Sequence, residues 1–197
     1  MLEKNEIIQS ALRNLKIEEL NPMQEASLEQ ATGRKDVILL SPTGSGKTLA
    51  YLLPLLLTLK PNDDSVQVLI LVPSRELALQ IDSVFKAMGT SWKTCCCYGG
   101  HPIAEEKKSI LSNHPAIIIG TPGRITDHLS KGNFNPETIE TLIIDEFDKS
   151  LEFGFHDEMA EIITQLPGLK KRILLSATDA AEMPQFKGLN RKVKLDF

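Results

Sequence analysis

The chain has 197 residues, of which 42% are hydrophobic and 24% charged, enough for one globular α/β domain and too few for two ordinary domains. The formal net charge of -4 gives no global support for a polyanionic partner, so any contact with nucleic acid must be local. The apolar runs are too short to span a bilayer and the N-terminus is too charged for a signal peptide, which predicts a cytoplasmic protein without a membrane partner.

Six short apolar runs, rich in β-branched residues, recur in chain order between segments with a helical pattern. They occupy residues 36–40, 66–72, 93–98, 116–120, 141–145 and 172–176. Runs that are apolar on both faces and alternate with amphipathic segments indicate a parallel sheet covered by helices on both sides. The sequence therefore predicts a doubly wound α/β fold with a mostly parallel sheet, in which residues 1–197 form one domain.

Helix-start and helix-end signals agree with this prediction. Asn21 and Thr121 each precede a proline, which places a capping residue before the first helical turn. Gly33 and Gly89 are predicted to end helices. Residues 1–33 are accordingly interpreted as the N-terminal helices of the domain.

The three cysteines are adjacent, at Cys95, Cys96 and Cys97. Neighbouring side chains of a strand point to alternate faces, so the three cannot converge on one metal ion, and no pair is separated enough for an unstrained disulfide. We interpret them as small strand residues of a reducing compartment.

Unusual polar chemistry follows each predicted strand directly. In chain order the segments are SPTGSGKT, PSRELA, YGG, TPGR, DEFD and SAT. In doubly wound sheets, ligands bind outside the carboxyl ends of the strands. Because the unusual polar segments stand where such ligands bind, the sequence predicts a ligand site along this edge of the sheet.

The first segment has the composition of a phosphate-binding loop. Glycines let successive backbone N–H groups point into one concavity, and the helix that follows adds the positive end of its dipole. Lys47 is predicted to reach the terminal phosphates and the Thr48 hydroxyl to bind Mg²⁺. Ser41 occupies the usual position of the leading glycine, and the alternative is a glycine-rich turn that only caps a helix. The candidate nucleotide-binding residues of the loop are Thr43, Gly44, Ser45, Gly46, Lys47 and Thr48.

The fifth predicted strand ends in carboxylates. Asp145 is predicted to support Mg²⁺, through water because Mg²⁺ dehydrates reluctantly. Glu146 points elsewhere and is placed to orient or deprotonate the attacking water in phosphoryl transfer. The catalytic candidates are therefore Glu146, Asp145 and Lys47. Taken alone, the acidic pair could equally be a solvated strand end.

In combination, the motifs resemble the N-terminal RecA-like domain of a DEAD-box RNA helicase, from about Leu12 to the end of the chain. Six motifs stand in the family's order, and KSLEFGF follows the acidic segment as in the family. The resemblance implies a RecA-like P-loop NTPase domain, ATP and Mg²⁺ as cofactors, and an enzyme that couples ATP hydrolysis to RNA duplex unwinding.

The resemblance also assigns roles to matching positions. Gln24 of the LNPMQ segment would pair with the adenine edge, since an amide carries a donor and an acceptor together; without the resemblance it would be an ordinary surface glutamine. Asp148, Ser176 and Thr178 would form the hydrogen-bonded link that couples nucleotide state to RNA unwinding.

Contacts with RNA are implied at the remaining segments and would read backbone geometry rather than base sequence. The candidates are Arg75, Gly100, Thr121 and Arg124. Each has a simpler alternative, because Arg75 could be a surface residue at a helix start, Gly100 part of a turn, and Thr121 only an N-cap.

Some positions depart from the family pattern. Phe147 replaces the usual alanine, which implies altered packing, and no aromatic residue precedes Gln24, which implies weaker adenine specificity.

Nothing after SAT resembles the family's second RecA-like domain, so the chain is interpreted as a monomeric fragment whose partners are RNA and that absent domain. The alternatives are a stand-alone nucleotide-dependent RNA-binding module and, less favoured because no NKxD segment is present, a phosphate-loop kinase or GTPase.

Overall fold

The computed structural model describes residues 2–30, 33, 35–178 and 193–197. In these residues seven strands form one sheet in the order β3-β4-β2-β5-β6-β1-β7, and every neighbouring pair is parallel. The strands β1 to β7 are Val37–Leu40, Val68–Leu71, Thr94–Cys97, Ile117–Gly120, Thr141–Ile144, Lys171–Ser176 and Val193–Asp196. The predicted doubly wound parallel sheet is confirmed.

Helices connect the strands and cover both faces of the sheet. The helices α1 to α8 are Leu2–Leu15, Pro22–Glu29, Lys47–Thr58, Arg75–Ala87, Ile103–Asn113, Pro122–Ser130, Phe147–Glu152 and His156–Thr164. A single 3₁₀ turn at Pro136–Thr138 precedes β5. Among the described residues, no helix has the length and apolar character needed to cross a membrane.

Alternate residues of the central strands feed two separate hydrophobic cores, as the two-residue period of a strand requires. In β2, Val68 and Ile70 pack with α1 to α4, whereas Leu69 and Leu71 pack on the other face with α5 to α8. Each central strand is buried on both faces, which is why these strands read as continuous apolar runs.

The six predicted strands are present, each with its ends within two residues of the predicted ones. The seventh strand, β7, was not predicted. It pairs with β1 at the edge of the sheet, and its residues alternate between half-buried and exposed. A short edge strand with Lys194 and Asp196 facing out carries too little apolar pattern to be distinguished from a loop.

The predicted caps are partly confirmed. Asn21 caps α2 by accepting the Gln24 N–H, and Gly89 follows α4 with a φ of 69°, which a glycine adopts without strain. Thr121 precedes α6, but its side chain makes no capping hydrogen bond. The prediction that Gly33 ends a helix is wrong, because α2 ends at Glu29 with Gln30 as its C-cap.

The three cysteines lie in the edge strand β3 and are not in disulfides, as predicted. Cys95 and Cys97 are buried on one face, and Cys96 is half-buried on the other. Burial raises the pKa of Cys96 to about 12, so this thiol stays protonated and unreactive at neutral pH.

Candidate functional site

The loop between β1 and α3 turns at two glycines. Gly44 and Gly46 have φ values of 83° and 91°, in the left-handed region that other residues occupy only under strain. A Cβ atom on Gly46 would also lie 2.7 Å from Nε2 of Gln24. The backbone conformation therefore favours glycine at position 46, and a side chain there would also displace the Gln24 amide.

Ser41 shows why this loop does not need its usual leading glycine. Ser41 has no positive φ, and its buried side chain forms a 2.6 Å hydrogen bond to the Ser45 hydroxyl across the base of the loop. Its N–H donates to the carbonyl of Ser176 at 3.1 Å, which ties the loop to the end of β6. The serine closes the loop with its side chain while leaving the turn intact.

Lys47 begins α3 and is directed back over the loop. Its ammonium group donates to the carbonyl oxygens of Ser41 and Pro42, the latter at 3.0 Å. Burial lowers the pKa of Lys47, and the negative charge of Asp145 opposes that shift. A cation is thus held at the mouth of the loop predicted to bind phosphate.

An open cleft of about 270 Å³ adjoins the loop. Its described lining consists of Thr43, Gly44, Gly46, Lys47, Thr48, Leu77, Gln80, Asp145 and Glu146. The structure therefore brings the loop and the acidic pair together, although about 100 residues of sequence separate them. Leu77 and Gln80 of α4 were not singled out from the sequence, where their only signal is the PSRELA segment, which contains Leu77 and ends two residues before Gln80.

Asp145 directly follows β5 and is buried with both carboxylate oxygens in hydrogen bonds. The Tyr51 hydroxyl donates to Oδ2 at 2.9 Å, and the Glu146 N–H donates to Oδ1 at 2.9 Å. Burial raises the pKa of Asp145, and the two hydrogen bonds oppose that shift. Tyr51 was missed by sequence reasoning, and its only signal is a tyrosine one helical turn after Thr48.

Glu146 takes a different direction from Asp145 because the backbone reverses there. Its φ and ψ of 48° and 52° are left-handed, which is rare for a residue with a side chain and typical of functional sites. The side chain is partly exposed at the cleft and accepts a 3.0 Å hydrogen bond from the Lys149 ammonium. Adjacent carboxylates are thereby separated into a buried one and an accessible one.

The donors around the cleft fit a nucleotide phosphate and Mg²⁺. Left-handed glycines at an α-helix N-terminus form a cradle of backbone N–H groups for an anion. Thr48 and Asp145 supply hydroxyl and carboxylate oxygens, the hard ligands that Mg²⁺ prefers.

Gln24 is buried between α2 and the phosphate loop, so the simpler reading of it as a surface residue is wrong. Its Oε1 accepts the Asn21 N–H at 3.0 Å and its Nε2 donates to the Gly46 carbonyl at 3.3 Å. Asn21 adds a 3.0 Å bond from Nδ2 to the Ser45 carbonyl. The amide of Gln24 retains a second lone pair and a second hydrogen, which leaves it able to pair with a base.

Asp148, Ser176 and Thr178 lie together where β6 ends beside α7. Asp148 Oδ2 accepts the Thr178 hydroxyl and the Ala177 N–H, both at 3.3 Å. The Ser176 hydroxyl donates to the Thr178 carbonyl at 2.7 Å. The SAT segment is thus bonded directly to the helix that carries the acidic motif.

The four candidate RNA contacts follow β2, β3 and β4, which are neighbours on one side of the sheet. Arg75 is exposed at the start of α4, where it pairs with Glu76 at 2.8 Å. Gly100 is exposed with a φ of 101°, and Thr121 is half-buried at the start of α6.

Arg124 lies in a different setting, because only 11% of its side chain is exposed. Its Nε donates to the Tyr98 carbonyl at 3.0 Å and its Nη2 to the His101 carbonyl at 2.6 Å. Its guanidinium group therefore braces the loop that contains Gly100, and at least two of its donors are used within the protein.

Residues 21–185 match the sequence pattern that defines the DEAD/DEAH box helicase family. The chain belongs to this family. The ATP-dependent RNA helicase CshA of Listeria monocytogenes is 35% identical over 176 residues, which cover 88% of this chain and 34% of that protein. The DEAD-box ATP-dependent RNA helicase CshA of Geobacillus kaustophilus is 33% identical over 173 residues. This match covers 87% of this chain and 37% of that protein.

Solved structures of DEAD-box proteins share the fold. A DEAD box protein from the hyperthermophile Methanococcus jannaschii superposes with a TM-score of 0.86 at 29% identity, covering 95% of this chain and 53% of that one. A hypothetical ATP-dependent RNA helicase from Sulfolobus tokodaii gives a TM-score of 0.85 at 30% identity, covering 97% of this chain and 57% of that one. The fold is thus the RecA-like fold of DEAD-box proteins. This chain spans about a third of the length of the curated relatives it matches.

Proposed function

We propose that this DEAD-box domain binds ATP with Mg²⁺ in the cleft and RNA along the neighbouring part of the same sheet edge, as one half of an ATP-dependent RNA helicase. The strand order is the observation that supports the proposal most directly. The phosphate loop, the acidic segment and SAT follow β1, β5 and β6, whereas the candidate RNA segments follow β2, β3 and β4. The two ligands would lie side by side on one rigid sheet.

In this proposal the loop binds the phosphates of ATP through its backbone N–H groups and the Lys47 ammonium. Thr48 and Asp145 would hold Mg²⁺, which neutralises phosphate charge when bound. The burial of Asp145 and its bond from Tyr51 fix the direction of the carboxylate before any ligand arrives.

Glu146 is proposed to orient the attacking water and accept its proton. It is the accessible member of the acidic pair, and the left-handed turn directs it away from Asp145. A base must be able to reach the proton it removes, which the partly exposed carboxylate can do and the buried one cannot.

Asp148, Ser176 and Thr178 are proposed to transmit the nucleotide state to the RNA side. Asp148 is two residues beyond the proposed base, and its bonds to Ala177 and Thr178 connect α7 to the segment after β6. A shift of the acidic segment on ATP binding would therefore move that segment as well.

Turnover and unwinding are proposed to need a second RecA-like domain that supplies further positive charge to the transferred phosphoryl group. Lys47 is the one cation among the described residues that line the cleft. An arginine supplied from another element typically accelerates phosphoryl transfer by about 10³–10⁵.

Equilibrium titrations test the proposal. Fluorescent ATP and GTP analogues, each with Mg²⁺ and with EDTA, would measure nucleotide affinity, and a labelled oligouridine would measure RNA affinity with and without a non-hydrolysable ATP analogue. We expect Mg²⁺-dependent binding with a preference for adenine, and tighter RNA binding in the presence of the ATP analogue. Nucleotide affinity that is indifferent to both base and Mg²⁺ would contradict the proposed site.

A further inference from the structure

A buried carboxylate outside the recognised motifs lies at the centre of the candidate RNA side. Glu106 is on α5 and is 3% exposed. Its carboxylate accepts the Tyr98 N–H at 2.8 Å and lies 2.9 Å from His101 Nε2 and 2.6 Å from His128 Nε2. Its other close neighbour is Arg124, whose Nε is 3.5 Å away.

These contacts join three elements that the sequence keeps apart. Tyr98 and His101 bracket the glycine pair after β3, whereas Arg124 and His128 belong to α6 after β4. Arg124 adds bonds to the carbonyls of Tyr98 and His101. The loop 98–101 is therefore held through its N–H and carbonyl groups, with Gly99 and Gly100 exposed between the two fixed ends.

The same cluster does not require a metal ion to explain it. Ligand atoms of Cys97, Glu106 and His128 lie within 4.8 Å of one another. The 2.6 Å distance between His128 and Glu106 is that of a hydrogen bond, and His128 Nδ1 already lies 3.0 Å from Asn133 Nδ2. The Glu106 carboxylate and the His128 imidazole are thus bonded within the protein, and the one orphaned atom of the cluster among the described residues is Asn133 Oδ1.

We propose that Glu106 is a positioning residue for RNA binding, which fixes the exposed Gly99–Gly100 backbone relative to α6 so that both contact one RNA strand. The inference rests on the proposed function, since it assumes that this surface binds RNA. A rigid loop contributes more to affinity than a mobile one because less conformational freedom is lost on binding.

The direction of the change in RNA affinity distinguishes a positioning role of Glu106 from a purely electrostatic one. Removing a negative charge near an RNA-binding surface should tighten binding. Removing Glu106 should instead weaken it, because the loop loses its central acceptor. Glu105 is the matched control, since it is the adjacent residue on α5 and carries the same charge, but is exposed and outside the cluster.

The experiment measures binding of the 197-residue chain to a labelled oligouridine of about ten nucleotides at low ionic strength. We expect Glu106→Ala to weaken RNA binding about tenfold, ~1.4 kcal/mol, and Glu105→Ala to leave it unchanged or tighter. Glu106→Gln should restore most of the affinity, because its amide keeps an acceptor for Tyr98 and its NH₂ group can donate to the other tautomer of His128. Affinity for Mg²⁺–ATP should be the same in all variants.

Hydrogen exchange of the loop amides, recorded by NMR without RNA, gives a second readout. Exchange at the Tyr98 amide, whose N–H donates to Glu106, should accelerate in Glu106→Ala and stay slow in Glu106→Gln. If Glu106→Ala does not fold, His101→Ala takes its place, because it removes one bond of the cluster from a partly exposed side chain and should weaken RNA binding about threefold.

The outcomes are distinguishable. A wild-type chain that binds no RNA would contradict the proposed function itself. A wild-type chain that binds RNA, together with Glu106→Ala, or His101→Ala in its place, binding equally well, would overturn the positioning role. Equal losses of RNA affinity in Glu106→Ala and Glu106→Gln, with unchanged hydrogen exchange in the loop, would also overturn it. The charge of Glu106, rather than the geometry of the loop, would then determine RNA affinity.

Discussion

In the proposed site, Lys47 serves both the loop and its ligand. Its ammonium group satisfies carbonyls of the loop from a buried position, and burial lowers its pKa. A phosphate would replace those carbonyls as the partner of the ammonium group. A charge-assisted bond to phosphate is stronger than one to a neutral carbonyl, so the exchange favours binding.

Lys47→Ala is expected to lower ATP affinity at least about tenfold, since a hydrogen bond to a charged group contributes ~1.5–3 kcal/mol. The fold should persist because the side chain contacts the loop rather than either hydrophobic core. Equilibrium titration and circular dichroism check both parts. Lys149→Ala removes an equal charge beside Glu146 and serves as the control. Wild-type nucleotide affinity in a folded Lys47→Ala protein would contradict the phosphate-loop assignment.

Asp145 carries a stability cost for its proposed role. Because burial raises its pKa, the ionised carboxylate destabilises the folded state at neutral pH. The cost disappears as the pH falls below the ordinary aspartate range, where folded and unfolded chains both bind the proton. Functional residues commonly carry such a cost.

Asp145→Asn is therefore expected to raise the melting temperature at neutral pH while abolishing Mg²⁺-dependent nucleotide binding. Each kcal/mol gained corresponds to about 2–4 °C in a domain of this size. Calorimetry across a pH series measures the effect, which should shrink as the pH falls. A lower melting temperature for Asp145→Asn at neutral pH would show that the ionised carboxylate is net stabilising.

At the scale of elements, α7 joins the acidic segment to the core. Phe147 is its first residue, is fully buried, and packs in the core cluster with α6 and α8 residues. The phenylalanine of DEFD thus anchors the helix that carries Asp148. That phenylalanine alters the packing relative to the family's alanine stays a prediction, and its burial shows where such a change would act.

Phe147→Ala is expected to cost about 3–5 kcal/mol of stability, as for other buried phenylalanines. Mg²⁺-dependent nucleotide affinity of the folded protein should fall less than in Asp145→Ala, because Phe147 packs in the core whereas Asp145 is the proposed magnesium residue. Chemical denaturation and nucleotide titration of the two variants separate the effects. A larger loss of nucleotide affinity in Phe147→Ala would reverse the assignment of roles.

The α2 helix is attached to the phosphate loop through Gln24 and Asn21. This attachment gives Gln24 two possible contributions, reading adenine and supporting the loop. Adenine reading would raise the affinity for adenine nucleotides alone, whereas support of the loop would raise the affinity for every nucleotide equally.

Gln24→Ala is expected to reduce ADP affinity more than GDP affinity, with a modest ratio because no aromatic residue precedes Gln24 in the sequence. Loss of the capping box should also cost about 1 kcal/mol of stability. Gln24→Glu is the matched variant, since it keeps the acceptor for Asn21 but loses the amide donor. An unchanged ratio of ADP to GDP affinity would contradict adenine reading and leave support of the loop.

For the whole molecule, the parallel sheet places two candidate ligand sites on one edge, and one cation lines the described nucleotide cleft. In the proposed function this domain binds nucleotide, whereas phosphoryl transfer calls for further positive charge at the transferred group.

The 197-residue chain alone is expected to bind Mg²⁺–ATP, to hydrolyse it barely with or without RNA, and not to unwind a duplex. Its RNA affinity should be weak and salt-sensitive, because a few backbone contacts act on a chain of net charge -4. A steady-state phosphate-release assay checks the first part and a strand-displacement assay the second. Strong RNA-stimulated turnover that Glu146→Gln abolishes would show a complete active site within these residues.

Sequence patterns predicted the sheet class, six of the seven strands that the structure describes, and the loop and acidic motifs. These features depend on local patterns: apolar runs, glycines at turns, and polar segments directly after strands. The parallel topology then made their meeting at one edge predictable, even though the order of the strands was not.

Contacts between residues far apart in the chain could be read only from the folded structure. Tyr51 meets Asp145 across 94 positions, and Gln24 meets Gly46 across 22. Glu106 reads as an ordinary helix residue, and the bonds by which Arg124 braces the loop after β3 are not visible, until α5 and α6 are packed in place. The β7 strand has too little apolar pattern to be seen without its partner β1. Such contacts depend on which surfaces pack together, and local sequence patterns carry little information about that choice.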